Sequence, residues 1–163
     1  VGDTAGMGAD LFESYVGSMV ASIDIVAAAA IVGAFAGNAL GCEVCMTNID
    51  LITDPKADLL GRATKLGEEI RGTLTEAMKT VKSIGDVRGR GLMIGTEFST
   101  EDGQPDEATA HNVWSHCLEQ DLLLLTCGTQ HNVIRWIPPL IVDRAGVEQA
   151  LAIFQTALED ASG

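Results

Sequence analysis

Residues 84–98 read IGDVRGRGLMIGTEF, and this stretch decides the fold. It holds two short runs rich in β-branched and apolar residues, Ile84 to Arg88 and Leu92 to Phe98, separated by Gly89-Arg90-Gly91. Such runs predict two strands or one bulged strand, with glycine permitting a sharp change of direction between them. Upstream the period lengthens. In Asp58 to Val81, apolar residues fall at Leu59, Ala63, Leu66, Ile70, Leu74, Ala77 and Val81. Steps of three and four draw one stripe along a long helix that faces a core. A shorter helix is predicted over 39–52, ending before Asp54-Pro55, where proline enforces a break. The two helices are expected to pack by their apolar faces.

Downstream, STEDGQP (residues 99–105) reads as a surface loop. Asp106 can then cap a helix to about Gln120, with Val113, Trp114 and Cys117 on its buried side. Strand signals return at Leu122 to Thr126 and Val133 to Ile137, and Pro138-Pro139 stops the pairing. Asp143 caps a last helix on which Val147, Ala150, Leu151, Phe154 and Leu158 repeat at helical spacing. The order α-α-β-β-α-β-β-α predicts an α/β (α+β) fold. Its sheet is small, three- to four-stranded and mostly antiparallel, with helices over one face, because consecutive strands lack long crossovers.

Composition bounds this reading. The chain has 163 residues, 47 % hydrophobic and 20 % charged, too apolar for disorder and suited to one core. About 70 % of the unfolded surface can be buried at this length, so neither disulfides nor a structural metal is required. A net charge of -13 argues against nucleic acid or an anionic membrane surface as partner. The charge is unevenly spread. Residues 1–37 carry Asp3, Asp10, Glu13 and Asp24 and no Lys or Arg, whereas all ten basic and nineteen acidic residues follow.

Within that first part, YVGSMVASIDIVAAAAIVGAFAG (residues 15–37) is long enough to span a bilayer at about 1.5 Å per residue. Asp24 near its middle costs about 2.5–3.5 kcal/mol on an insertion scale. Gly17, Ser18, Ala21 and Ser22 are residues of a helix packed tightly among others. The alternative is a buried or amphipathic helix outside any membrane. No basic region precedes it, so it is not a signal peptide. A cytoplasmic chain is expected, with membrane association only through residues 11–37.

Candidate chemistry is sparse. Cys42 and Cys45 form a C-x-x-C, a redox pair or half of a zinc site whose other half comes from His116, Cys117 or Cys127 at irregular spacing. The alternative is a pair of small buried helix residues, kept reduced. His111, His116 and His131 lie in polar stretches without ligand spacing and read as surface residues. Arg88 and Arg90 flank Gly89 and either bind an anion or pair with nearby acids at a turn. Arg135 sits mid-strand in NVIRWIPPL, where an arginine is costly unless its planar fork meets a carboxylate or phosphate. On pattern alone, an outward arginine on a wet strand face remains open.

AGNALGCEV (residues 36–44), GDVRGRGLMIGTEF (residues 85–98) and DLLLLTCGTQHNVIRWIPPL (residues 121–140) together resemble the C-terminal small domain of class III aminotransferases, most closely the 4-aminobutyrate aminotransferases. The resemblance covers about residues 34–160 and implies a domain spanning 34–163. It implies a fold-type I, pyridoxal-phosphate-dependent homodimer that moves an amino group from an ω-amino donor to 2-oxoglutarate. It also implies that Arg135 binds a carboxylate of the amino acid or 2-oxo acid substrate. Two departures accompany it. The family's Schiff-base lysine has no counterpart among Lys56, Lys65, Lys79 and Lys82, all in or beside the long helix, so the chain alone is expected to be inactive. The family's phosphate-binding threonine is replaced by Ala34.

VGDTAGMGADLFESYVGSMVA (residues 1–21) is similar instead to a segment of membrane-bound, ion-pumping pyrophosphatases. That resemblance implies a metal and substrate role for Asp3 and a gating role for Asp10 and Glu13, since carboxylates on one helix face hold hard cations and relay protons. No further acidic motif of that family follows. The two resemblances divide the chain at about residue 33. They imply a fusion of two fragments, with a piece of the transporter or a non-catalytic product as alternatives to the transaminase domain.

Overall fold

The computed structural model describes residues 37–161. The expectations for the apolar helix of residues 1–33, for Asp3, Asp10 and Glu13, and for Ala34 lie outside the described residues. The remaining elements follow the predicted order: α1 (Ala39–Thr53), α2 (Leu59–Met78), β1 (Ile84–Arg90), β2 (Met93–Phe98), α3 (Glu107–Glu119), β3 (Leu125–Cys127), β4 (Val133–Trp136) and α4 (Arg144–Ala161). The four strands form one antiparallel sheet in the order β1-β2-β4-β3. No helix among the described residues is long and apolar enough to cross a membrane.

Helix starts are fixed by side chains that accept otherwise orphaned amide hydrogens. Asn38 Oδ1 accepts from the Gly41 amide (3.1 Å), Asp106 Oδ1 from Thr109 (3.0 Å) and Asp143 Oδ1 from Gly146 (2.8 Å). The stripe on α2 is buried as its spacing predicts, with Ala63, Ile70 and Leu74 in the core and Leu66, Ala77 and Val81 against it. Together with Val113 and Cys117 of α3 and Val147, Phe154 and Leu158 of α4, it covers a sheet face made of Ile84, Ile94, Phe98, Ile134 and Trp136. Trp114 is half-buried at the edge of this core, its indole donating to the Leu124 carbonyl at 2.9 Å.

The hairpin of residues 84–98 is tighter than its sequence predicts. Pairing continues through Arg90, which faces Met93, so the turn is only Gly91 and Leu92. Gly91 has φ +56°, a left-handed conformation that side chains with a Cβ resist. Above it, α2 approaches so closely that a Cβ on Gly67 would lie 1.9 Å from the Gly91 carbonyl oxygen. Arg71 donates to the Gly89 carbonyl at 3.1 Å. The helix therefore rests on the hairpin backbone itself, through glycine rather than through an interlocking side chain.

Two expectations are corrected. The strand predicted from Leu122 to Thr126 begins only at Leu125, because Asp121 turns left-handed (φ 60°) and the Leu122 amide closes the end of α3 on the Cys117 carbonyl at 2.9 Å. A backbone spent on a helix cap is unavailable to a ladder. Helix α1 does not bury an apolar face on α2: only Gly41 is buried, and Leu40, Met46, Ile49 and Leu51 are 74, 60, 59 and 56 % exposed. At about 100° per residue Leu40 and Leu51 fall on one side and Met46 and Ile49 on the other, so one neighbouring helix cannot cover them.

Candidate functional site

The face of the sheet turned away from the core carries the candidate residue Arg135. Strand alternation places Ile134 and Trp136 in the core and turns Val133 and Arg135 the other way. Register then brings Gly95 of β2 and Leu125 of β3 to either side of Arg135. Gly95 presents no side chain, and a Cβ there would come within 3.2 Å of Val133 Cγ1. The half-buried Arg135 thus stands beside a residue of β2 that has no side chain. A planar guanidinium fork is the side chain that can take a carboxylate with two parallel hydrogen bonds. Sequence pattern left open which way Arg135 faces; the register places it on the sheet face turned away from the core, with Gly95 and Leu125 as its cross-strand neighbours.

Arg88 and Glu97 share this face. Arg88 donates to Asp86 Oδ2 at 2.8 Å and to Glu97 Oε2 at 2.5 Å. Burial works against the Arg88 charge, but the two carboxylates outweigh it and hold the guanidinium above its ordinary pKa. The structural reading of Arg88, an arginine paired with nearby acids, is the one that stands. Arg90 ends β1 opposite Met93, exposed.

Sequence reasoning missed Gly95, Glu97 and Asn132. The first two follow from period-two counting along β2, which puts both on the face of Arg135 once the strands are paired. Asn132 is buried and precedes β4. Its side-chain amide donates to the Phe98 carbonyl at 2.8 Å, while the Phe98 amide donates to the Asn132 carbonyl at 2.8 Å. These bonds fix the register that sets Arg135 against Gly95.

The cysteine and histidine candidates do not converge. All four cysteines are unbridged thiols: Cys42 is exposed, Cys45 and Cys127 are half-buried and Cys117 is buried. Among the described residues no three His, Cys, Asp or Glu side chains could hold one metal ion. The expectation that Cys42 is buried is corrected, because α1 exposes most of its circumference. His116 faces Asp160 of α4 at 3.4 Å and His111 stacks obliquely on Trp114 at 5.4 Å. Burial pushes the Cys117 thiol up to about 11 from its ordinary value of 9.0. Since the thiolate is the nucleophile, Cys42 is expected to alkylate readily at pH 8 and Cys117 only on unfolding, which mass mapping after iodoacetamide treatment checks. A raised pKa means that the unfolded chain loses this proton first. The stabilisation from a neutral Cys117 is therefore full below pH 9 and lost as pH rises through about 11.

Comparison with known proteins follows the same lines. The profile of the aminotransferase class-III family matches residues 8–158. An alanine/serine racemase of Pyrococcus horikoshii is 41 % identical over 103 residues, 63 % of this chain and 22 % of the racemase. The 4-aminobutyrate aminotransferase GabT of Escherichia coli is 31 % identical over 142 residues, 85 % of this chain and 33 % of that enzyme. Among solved structures, an aminotransferase of Bacillus anthracis superposes with a TM-score of 0.68 at 24 % identity, over 76 % of this chain and 29 % of that one. The chain thus spans a third or less of the length of the relatives it matches.

Proposed function

This chain belongs to the class III aminotransferases, and on that premise we propose that residues 34–163 form the C-terminal small domain of a transaminase passing an amino group from an ω-amino donor to a 2-oxo acid. One observation supports the reading: among the described residues the helices pack on the other face of the sheet, and Arg135 lies on the outer face with Gly95 opposite it, a setting that suits a substrate carboxylate. Enzymes of this family use pyridoxal phosphate, act on amino and oxo acids and are typically dimers, and we assign the same to the assembled enzyme.

The cofactor supplies the electron sink of such reactions when bound. The described residues do not fit it by themselves. Lys56, Lys65, Lys79 and Lys82 are all exposed and lie on or beside α2, on the helical side of the sheet, away from Arg135. On this reading the amine anchor comes from outside the described residues, and this part of the chain contributes recognition of the substrate carboxylate. The pyrophosphatase-like segment with Asp3, Asp10 and Glu13 takes no part in the proposal.

The test is a graft. Joined to the rest of the Escherichia coli 4-aminobutyrate aminotransferase in place of its own C-terminal segment, residues 34–163 are expected to support amino transfer from 4-aminobutyrate to 2-oxoglutarate. A chimera that folds, binds pyridoxal phosphate and transfers nothing overturns the assignment.

A further inference from the structure

Helix α1 sets three sulfur-bearing side chains together in the run CEVCM, residues 42–46. At about 100° per residue, Cys42, Cys45 and Met46 fall within about 100° of arc, on the side that also carries Ile49. Residues three and four apart on a helix hold their Cβ atoms about 5–6 Å from one another. Because Cα–Cβ bonds lean toward the helix start, Cys45 and Met46 both reach back over Cys42. Cys42 is exposed, Met46 is 60 % exposed and Cys45 is half-buried. The Cys45 thiol already has an interaction partner, but a thiol is only a weak donor and a weak acceptor, so a bond to metal replaces such a contact. We propose that Cys42, Cys45 and Met46 form a site for a soft monovalent cation, Cu(I), bound by two thiolates and one thioether. Three sulfurs around one ion at about 2.3 Å, the length of a zinc–thiolate bond, lie about 4 Å apart, a convergence that side chains so rooted can reach. Loading releases two thiol protons for each Cu(I) taken up and changes no oxidation state. Softness selects the metal, since thiolate and thioether together favour Cu(I). Zinc and harder divalent ions lack a seat, because among the described residues no three His, Cys, Asp or Glu side chains could hold one ion, and a thioether adds little for them.

The full 163-residue chain tests this without oxygen, by transfer of Cu(I) from bicinchoninate, whose coloured complex fades as the protein takes the ion. Cys42→Ser and Cys45→Ser are each expected to weaken binding about 100-fold and Met46→Leu about tenfold, since losing even a group behind the ligands of a metal site costs about 10–100-fold. Met46→Leu is the decisive variant, because it keeps both thiols and an apolar chain of similar bulk, so uptake by thiols alone does not register it. It also keeps the test informative if Cys45→Ser disturbs the helix. X-ray absorption of the loaded chain is expected to count three sulfurs around copper, and two in Met46→Leu. Cys127→Ser is expected to leave the affinity unchanged. Unchanged affinity in Met46→Leu, a loss in Cys127→Ser, or displacement of the copper by equimolar Zn(II) overturns the site.

Discussion

Replacing Arg135 by glutamine in the chimeric enzyme is expected to raise KM for 2-oxoglutarate about 100-fold, with a smaller change in kcat. The argument starts from the charge lost. A bidentate arginine–carboxylate pair is charge-assisted on both sides, and truncating one partner of such a pair costs about 2–5 kcal/mol. Because the ionic grip on the carboxylate is present in the ground state as well as in the transition state, the loss falls on binding before it falls on chemistry, and KM carries most of it. Arg135→Lys is expected to recover only part, since an ammonium restores charge but not the planar fork. Steady-state kinetics with 2-oxoglutarate and with a neutral oxo substrate separate the cases. A fall in kcat/KM of equal size for both substrates would falsify the carboxylate assignment.

The second large effect concerns the support behind that strand. Phe154 is 1 % exposed and meets the Trp136 ring edge-on, with centroids 4.9 Å apart and planes at 69°. Phe154→Ala removes the ring from a filled core and deletes the aromatic contact, a combination that costs about 3–5 kcal/mol. Against a total stability of about 5–15 kcal/mol, this is a large share, and Tm is expected to fall by about 10 °C. Trp136 directly follows Arg135, so slack behind β4 also loosens the guanidinium on the opposite face. A calorimetric scan measures the first effect. A drop of less than about 3 °C would show that the α4 contact bears little of the core.

Legibility in the sequence followed periodicity. The stripe from Ala63 to Leu74 and the repeat from Val147 to Leu158 specified their helices because one face of each is covered by one core. Asp106 and Asp143 announced their helices because capping is local chemistry. Leu122 misled, since an apolar residue next to a left-handed Asp121 serves a helix end as well as a strand. Arg135 was visible as an arginine in an apolar run, but Gly95 and Glu97 became meaningful only through pairing across the sheet. Register is a long-range property that no window of sequence contains.

Helix α1 also bears on how the described residues unfold. Its fifteen residues are capped and hydrogen-bonded, yet their side chains contribute almost nothing to the shared core. Within the described residues, α1 is therefore expected to open independently of the cooperative unit. Its amides are expected to exchange with solvent through local opening, well before those of α2 and β2, whose exchange reports the global transition.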